Sequence, residues 1–317
     1  MCLRLTRRVT VLAASLVFAA SIVVAVVMVS AAKSSTTVPA AGSTGSTGSS
    51  AEPWALAWAA DFAGPADSAP SGWKFEVGQG IFGDGDVADL TRSPANVRLN
   101  GHGDLDLTAV GRGPSWTSAR IESDASFGAP AGGELMVTAS IEQPDPASGL
   151  GYWPAFWMLG PGQWPATGEI DIMEDVNAAS DHSAAFHCGN LTRRNPDGTT
   201  GPCHEYTGLS SGLLPCSGCQ AGYHVYTAII DRRDAADEQI RWYLDGQLFF
   251  TVSESQVGTQ AWTAAVDHGF SIILDLAVGG KYPDGRCQCT TPTLQTTSGA
   301  TMSVQYVKVY SSAPSGS

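Results

Sequence analysis

The sequence predicts an all-β domain, in which antiparallel strands form a sandwich or a barrel. Strand signals recur at short spacing through most of the chain, and no segment shows the pattern of a long amphipathic helix. The 36 glycines and the low share of charged residues, 15%, suit a turn-rich β domain better than a helical one. Many short strands joined by turns are typical of antiparallel sandwiches and barrels.

The N-terminal 52 residues are predicted to lie outside this domain. Basic residues precede an apolar run within residues 1–32, which has the features of a signal peptide but is also long enough to be an N-terminal membrane anchor. Residues 33–52 are rich in Ser, Thr and Gly, and we expect a flexible linker there. Because positive charge precedes the apolar run, the rest of the chain is predicted to be extracellular, either secreted or anchored to the outer face of the membrane.

The predicted domain spans residues 53–312. Residues 96–109 are typical of a hairpin around Asn100-Gly101, and residues 240–252 of a second hairpin around Asp245-Gly246, because both dipeptides favour tight turns. Single strands are predicted at residues 133–141, 224–231, 270–280 and 302–310.

Charge and cysteine content restrict the possible partners. The formal net charge of −13 argues against nucleic acid and anionic membrane surfaces, and it is compatible with a neutral polar substrate. Cysteines outside the N-terminal segment are even in number, which predicts disulfides in an exported chain but does not choose their pairing: Cys188, Cys203, Cys216, Cys219, Cys287 and Cys289. A zinc site built on Cys216 and Cys219 with His187, His204 or Cys188 is the less favoured alternative. We expect no metal or other cofactor, and we expect a monomer.

Residues 168–175 (GEIDIMED) place three carboxylates on one strand and then break its alternation. Side chains alternate between the two faces of a strand, so Glu169 and Asp171 share a face that Met173, and not Glu174, should join. A β-bulge that accommodates Met173 would return Glu174 to the face of the other two acids.

Such crowding has a chemical use, because neighbouring carboxylates raise each other's pKa. Glycoside hydrolysis with retention needs one ionised and one protonated carboxyl about 5–5.5 Å apart. A solvated acidic face and a calcium ligand set are the alternatives. A solvated face does not need the intervening isoleucines and the Trp-rich flanks, and calcium sites favour Asp- and Gly-rich loops over strands. The acid strand therefore favours a glycosidase, although it does not establish one alone.

The flanking sequence is more specific. Residues 151–177 (GYWPAFWMLGPGQWPATGEIDIMEDVN) closely resemble the active-site region of glycoside hydrolase family 16, whose laminarinase-type branch carries the signature Glu-x-Asp-x-x-Glu. This resemblance implies an antiparallel β-sandwich jelly roll, concanavalin A-like, with a substrate cleft on its concave face. It also implies that Glu169 is the nucleophile, Glu174 the general acid/base and Asp171 the assisting carboxylate. The similarity continues through residues 54–80, 93–123, 270–283 and 302–310.

Three tryptophans precede the acids and are candidates for substrate binding. Aromatic faces pack on the apolar faces of pyranose rings. By resemblance, Trp157 and Trp164 line the glycone subsites. For Trp153, substrate contact and core packing both stay open.

Three polar residues complete the candidate substrate-binding set. The family often has a histidine near the acid/base on the next strand, and His187 stands at that place, which favours a role in the cleft. Asn96 and Arg120 fall in family-like stretches, where each would either touch substrate or brace the cleft.

The chain departs from the family pattern at three places. Asp275 replaces the usual Asn before the AVGG stretch, and Gln305 replaces an Asp that in some members helps to bind calcium. Residues 188–222 have no clear counterpart, and they are expected to wall the cleft because they follow the catalytic strands.

These features predict a secreted endo-acting hydrolase of β-1,3-glucan, or of mixed β-1,3-1,4-glucan, with the polysaccharide as its partner. One alternative is a hydrolase or transglycosylase that acts on another β-linked polysaccharide, such as galactan. The other is a non-catalytic carbohydrate-binding sandwich, which would not need both glutamates.

Overall fold

The predicted sandwich is present as two large antiparallel sheets. A computed structural model describes residues 54–80 and 83–312. The signal or anchor segment (1–32) and the linker (33–52) lie outside the described residues. Within the described ranges, no helix has the length and apolarity that crossing a membrane requires.

The described residues form these elements, in chain order: β1 (Ala55–Ala60), β2 (Trp73–Glu76), β3 (Gly78–Gln79), β4 (Ala88–Leu90), β5 (Val97–Leu99), β6 (Leu105–Thr108), β7 (Val110–Arg112), β8 (Ser115–Ser118), β9 (Arg120–Phe127), β10 (Glu134–Glu142), β11 (Tyr152–Leu159), β12 (Glu169–Glu174), β13 (Asp181–His187), β14 (Leu209–Ser210), β15 (Leu214–Pro215), β16 (His224–Asp231), β17 (Gln239–Leu244), β18 (Gln247–Ser253), α1 (Glu254–Val257), α2 (Thr259–Val266), β19 (Phe270–Val278), α3 (Lys281–Cys287) and β20 (Thr301–Ser312). The longest of these helices has 8 residues, in agreement with the missing amphipathic pattern in the sequence.

The first large sheet has the strand order β18-β17-β16-β10-β20-β6-β5, and β1 also pairs with β20. The second has the order β14-β13-β12-β11-β19-β9-β2, and β15 pairs with β13. A small third sheet, β3-β4-β8-β7, contains the parallel pair β4 and β8 and was not predicted from the sequence. The strand that carries the three acids, β12, therefore lies inside the second large sheet, between β11 and β13.

Both predicted hairpins form. Asp245 and Gly246 have φ values of 49° and 77°, the left-handed conformation that a two-residue turn between twisted strands requires. The hairpin of β5 and β6 has a wider loop than predicted, because the Asn100 N–H donates to the carbonyl of Asp104 and the Asn100 side chain accepts from the His102 N–H. The side chain of Asn100 thus organises a longer turn of its own.

The core lies between the two large sheets, and it fixes the position of β12. Ile170, Ile172 and Met173 are buried there. Trp242, from β17 of the opposite sheet, is also fully buried and donates its indole N–H to the carbonyl of Asp171 at 2.8 Å. Because an unpaired buried carbonyl is costly, this bond between sheets stabilises the irregular backbone of the acid strand.

Candidate active site

The acid strand contains the predicted bulge. In the pairing of β12 with β11, Met173 lies opposite Phe156, and Asp171 lies opposite the next residue, Trp157. Ile172 is the extra residue between these two pairs, so the register shifts by one there. Ile172 and Met173 are both buried, so two successive side chains enter the core instead of alternating. The bulge was predicted at Met173 alone; the structure spreads it over both residues, because the second apolar side chain also finds room between the sheets.

The bulge brings Glu169, Asp171 and Glu174 together on the outer face of the second sheet. Asp171 is 5% exposed, and the two glutamates are half-buried. Burial, followed by the charge of Asp171, raises the pKa of Glu169 to about 8 and raises the pKa of Glu174 well above its usual value. The charge of Glu169 also raises the pKa of Glu174, so ionisation of Glu169 favours the protonated form of Glu174.

His187, directly opposite Glu169 in β13, lies among three carboxylates. Its Nε2 is 3.3 Å from Asp171 and 3.7 Å from Glu169, and its Nδ1 is 2.6 Å from Glu205. Burial alone would lower the pKa of His187, but hydrogen bonds to Asp171 and Glu205 raise it well above the usual value. These bonds favour the protonated, cationic form of the ring beside the candidate nucleophile.

Residues 188–222 supply Glu205 to this cluster. The Glu205 side chain is fully buried, and its second oxygen accepts the Cys188 N–H at 3.0 Å. A disulfide joins Cys188 to Cys203, so the residue after His187 is tied to the segment that carries Glu205.

Trp153 hydrogen-bonds the other glutamate. Its indole N–H donates to Glu174 at 2.8 Å. The ring packs edge-on against Tyr282 of α3, with centroids 5.7 Å apart, and the Tyr282 hydroxyl is 3.3 Å from that of Ser183. Of the two roles left open for Trp153, the contact with Glu174 places it at the acid cluster, half-buried rather than inside the core.

A charged and aromatic group lies beside Glu169. The guanidinium of Arg120 lies over the Trp157 ring, 4.5 Å from its centroid, and the Trp157 indole N–H donates to Asp275 at 2.8 Å. Burial raises the pKa of Asp275 to about 6, while Arg120 and the Trp157 bond oppose that rise. Arg120 also lowers the pKa of Glu169. Asp275, which replaces the usual Asn of the family, thus interacts electrostatically with the buried Arg120.

Trp164 extends the aromatic surface toward solvent. Its ring is 5.6 Å from that of His187 and is stacked on Tyr206 at 5.8 Å with an interplanar angle of 16°. Tyr206 is 71% exposed although it is aromatic. The half-buried Trp164 ring and the exposed Tyr206 ring together offer an aromatic surface suitable for a pyranose.

Asn96 is the one candidate that these contacts do not bring to the acids. It is 2% exposed. Its amide oxygen accepts from Thr91, and its amide nitrogen donates to the Thr108 carbonyl and the Thr117 hydroxyl. This engagement favours bracing of the strands, one of the two roles predicted for it.

The disulfides use the thiols that the zinc alternative requires. Cys188 pairs with Cys203 and Cys216 with Cys219, while the third bond joins Cys287 to Cys289. His224 lies close enough to the Cys216–Cys219 pair to share an ion with it. However, zinc needs thiolates, and a disulfide does not supply them. Glu169, Asp171 and His187 also come within 4.8 Å of one another, but there the ring already bridges the acids.

Sequence reasoning missed Glu205, Tyr206 and Tyr282. Glu205 and Tyr206 follow Cys203 closely in the chain. A known Cys188–Cys203 pairing would have placed them beside His187. Without that pairing, the sequence places residues 188–222 at the cleft but singles out neither Glu205 nor Tyr206 within them.

A β-sandwich with two neighbouring glutamates of raised pKa on one sheet face, flanked by indole rings, has the features of an O-glycosyl hydrolase. A family model described as "XgeA-like, catalytic GH16 domain" matches residues 98–211. The crystal structure of an endo-1,3-beta-glucanase from Streptomyces sioyaensis is 37% identical, with a TM-score of 0.76, and the match covers 84% of this chain and 100% of that one. The chain belongs to glycoside hydrolase family 16.

Two curated relatives are longer proteins. The glucan endo-1,3-beta-glucosidase A1 of Niallia circulans is 33% identical over 51% of this chain and 22% of its own length. The keratan-sulfate endo-1,4-beta-galactosidase of Sphingobacterium multivorum is 32% identical over 56% of this chain and 36% of its own length. The chain thus matches only a minor part of each of these two.

Proposed function

We propose that the protein is an exported, endo-acting β-1,3-glucanase, with mixed β-1,3-1,4-glucan as a further substrate, and that it works with retention of configuration. The observation that carries this proposal is the bulge at Ile172 and Met173. It returns Glu174 to the face of Glu169, and there the two carboxyls have different partners. A retaining glycosidase needs such an asymmetric pair.

The different surroundings of the two glutamates support the roles proposed for them. Glu169 has two positive neighbours, His187 and Arg120, which both lower its pKa against the rise caused by burial. His187 also lowers the pKa of Glu174, but the hydrogen-bond donor of Glu174 is the neutral indole of Trp153. Because Arg120 lowers the pKa of Glu169 while a charge on Glu169 raises the pKa of Glu174, we assign the first negative charge to Glu169. Glu169 is therefore the proposed nucleophile and Glu174 the proposed acid.

The reaction then takes two displacements. A carboxylate oxygen of Glu169 attacks the anomeric carbon, and the glycosidic bond breaks as Glu174 gives its proton to the leaving oxygen. Glu174, now ionised, takes a proton from water, and that water attacks the same carbon and releases Glu169. Throughout both steps Asp171 stays bound to His187, and its charge raises the pKa of both glutamates.

The substrate and location are proposed from the surroundings of the site. The named activities of the Streptomyces sioyaensis and Niallia circulans relatives support a preference for β-1,3-glucan. We place the glycone on the rings of Trp157 and Trp164 and the leaving chain beside Trp153. Three disulfides suit an oxidising compartment, and with the N-terminal basic and apolar segment they support an extracellular location.

The galactosidase relative favours a second candidate, hydrolysis of a β-1,4-galactoside. Release of reducing ends from laminarin, lichenan, galactan and keratan sulfate separates the two. Fastest release from laminarin is expected. Faster release from a galactose polymer would replace the glucanase proposal, and no release from any of them would leave the carbohydrate-binding alternative.

Substitution of the two glutamates tests the mechanism. Glu169→Ala and Glu174→Ala should each lower kcat on laminarin by at least about a thousandfold, without loss of folding. Azide should restore turnover to Glu169→Ala with inverted configuration, and Glu174→Ala should keep the first step on substrates with good leaving groups. Glu142→Ala, in the other large sheet, is the matched control. Near-normal turnover by Glu169→Ala would refute the assignment of the nucleophile.

A further inference from the structure

Glu205 is a buried carboxylate outside the acid strand, and the signature residues do not account for it. Its side chain is 0% exposed; it is hydrogen-bonded to His187, and its charge also raises the pKa of Glu169. We propose that Glu205 is a positioning residue: it holds His187 by Nδ1, directs Nε2 onto Asp171 and Glu169, and so keeps a positive charge beside the nucleophile. This proposal rests on the proposed function only in calling Glu169 the nucleophile.

Both oxygens of Glu205 are in use. One is 2.6 Å from His187 Nδ1, and the other accepts the Cys188 N–H. A carboxylate can only accept, so the bond to the ring fixes the proton on Nδ1. A buried carboxylate is costly unless it is paired, and the imidazolium of His187 is the cation that this side chain contacts.

The orientation of the ring decides what Nε2 does. With Nδ1 held by Glu205, Nε2 faces Asp171 at 3.3 Å and Glu169 at 3.7 Å. The groups that face His187 are these three acids and the Trp164 ring, and Glu174 lies within its electrostatic reach. If Glu205 lost its charge, the ring would face fewer anions and would become neutral more easily. Glu169 would then lose one of its two positive neighbours.

The segment that carries Glu205 is held in place by covalent and backbone contacts. The Cys188–Cys203 disulfide joins its start to the residues before Glu205. Thr200 and Glu205 also exchange two backbone hydrogen bonds, at 2.7 and 3.0 Å. Glu205 is therefore fixed independently of substrate, as a positioning residue should be.

The test compares Glu205→Gln with Asp197→Asn in the full-length protein. Asp197 is an exposed acid of the loop that the Cys188–Cys203 disulfide closes just before Glu205, and it bonds Thr199 and His204 rather than His187. Two quantities are measured: the titration of His187 by NMR with ¹⁵N-labelled histidine, and the pH dependence of kcat/KM on laminarin. The first reports the ring and the second reports its effect on Glu169.

The wild type and Asp197→Asn should show His187 protonated above pH 7. In Glu205→Gln its pKa should fall by at least about one unit. The acid limb of kcat/KM should move up by about 0.5 units, a roughly threefold loss of kcat/KM below that limb, because the lost attraction between His187 and Glu169 outweighs the lost repulsion from Glu205. A merely structural role would lower activity at all pH values alike.

Two results would overturn the proposal. One is a wild-type His187 that is neutral at pH 7, which needs no variant and so remains decisive if Glu205→Gln does not fold. The other is an unchanged His187 titration and acid limb in a folded Glu205→Gln. A protein that cleaves no glycan would instead refute the proposed function, and the NMR titration would still decide whether Glu205 holds the charge on His187.

Discussion

The bond from Trp153 to Glu174 allows a prediction with a definite sign. Trp153→Phe keeps most of the aromatic ring and removes the N–H that donates to Glu174 at 2.8 Å. That donor stabilises the ionised form of Glu174 and lowers its pKa against the larger rise due to burial and Asp171. Its removal should therefore raise the pKa of the proposed acid still further.

The magnitude follows from the type of bond. A hydrogen bond to a charged group contributes about 1.5–3 kcal/mol, and the lower end applies here because Glu174 is only half-buried. At 1.36 kcal/mol per unit, about 1.5 kcal/mol corresponds to about one pKa unit. The alkaline limb of kcat/KM should move up by about one unit, because that limb follows the loss of the proton from the acid.

The assay is the pH profile of kcat/KM on laminarin for the wild type, Trp153→Phe and Trp157→Phe. Trp157→Phe is the matched control, since it also loses an indole bond of 2.8 Å, but to Asp275. Its alkaline limb should stay within about 0.3 units of the wild type. An unchanged or lowered alkaline limb in Trp153→Phe would refute the assignment of Glu174 as the acid that this indole contacts.

Three further predictions concern stability and substrate binding. Trp242→Phe leaves the buried Asp171 carbonyl without its donor and should lower the free energy of unfolding in urea by about 2 kcal/mol; no change would mean that water replaces the bond. Tyr206→Ala removes the ring stacked on Trp164, so KM for laminarin should rise about two- to tenfold at constant kcat, whereas a fall in kcat alone would contradict a binding role. Burial raises the pKa of Asp175 from 3.8 to about 7, so folding favours its protonated form and the wild type should lose stability as pH rises from about 4 to about 7. In Asp175→Asn, Tm should fall less between pH 4 and pH 8, and equal falls would refute this source of pH dependence.

Local pattern was sufficient for the parts of the fold that depend on neighbours in the chain. The turn at Asp245-Gly246 is confirmed because its conformation depends on those two residues. The bulge on the acid strand is likewise visible as a break in alternation, although periodicity could not show that Ile172 and Met173 share it. That detail depends on the space that the opposite sheet leaves.

The site was predictable to the extent that its residues lie on the acid strand and its flanks. Trp153 and His187 lie on neighbouring strands, and simple pairing brings them to the glutamates. Glu205 lies just after the loop that the Cys188–Cys203 disulfide closes. Its position beside His187 therefore depends on a cysteine pairing that the number of cysteines alone does not determine. The Asn96 amide donates hydrogen bonds to Thr108 and Thr117, which lie far from it in the chain, so its bracing role could not be predicted from neighbouring residues.

The spacing of the cysteines has a consequence for how this protein would respond to reductants. The disulfides close chain separations of 15, 3 and 2 residues, so the Cys188–Cys203 bond restricts the denatured chain most, by about 3 kcal/mol. The same bond lies next to His187. Thiol treatment should therefore lower the stability of the sandwich and disturb the site together, and material produced in a reducing cytosol would be both less stable and less active.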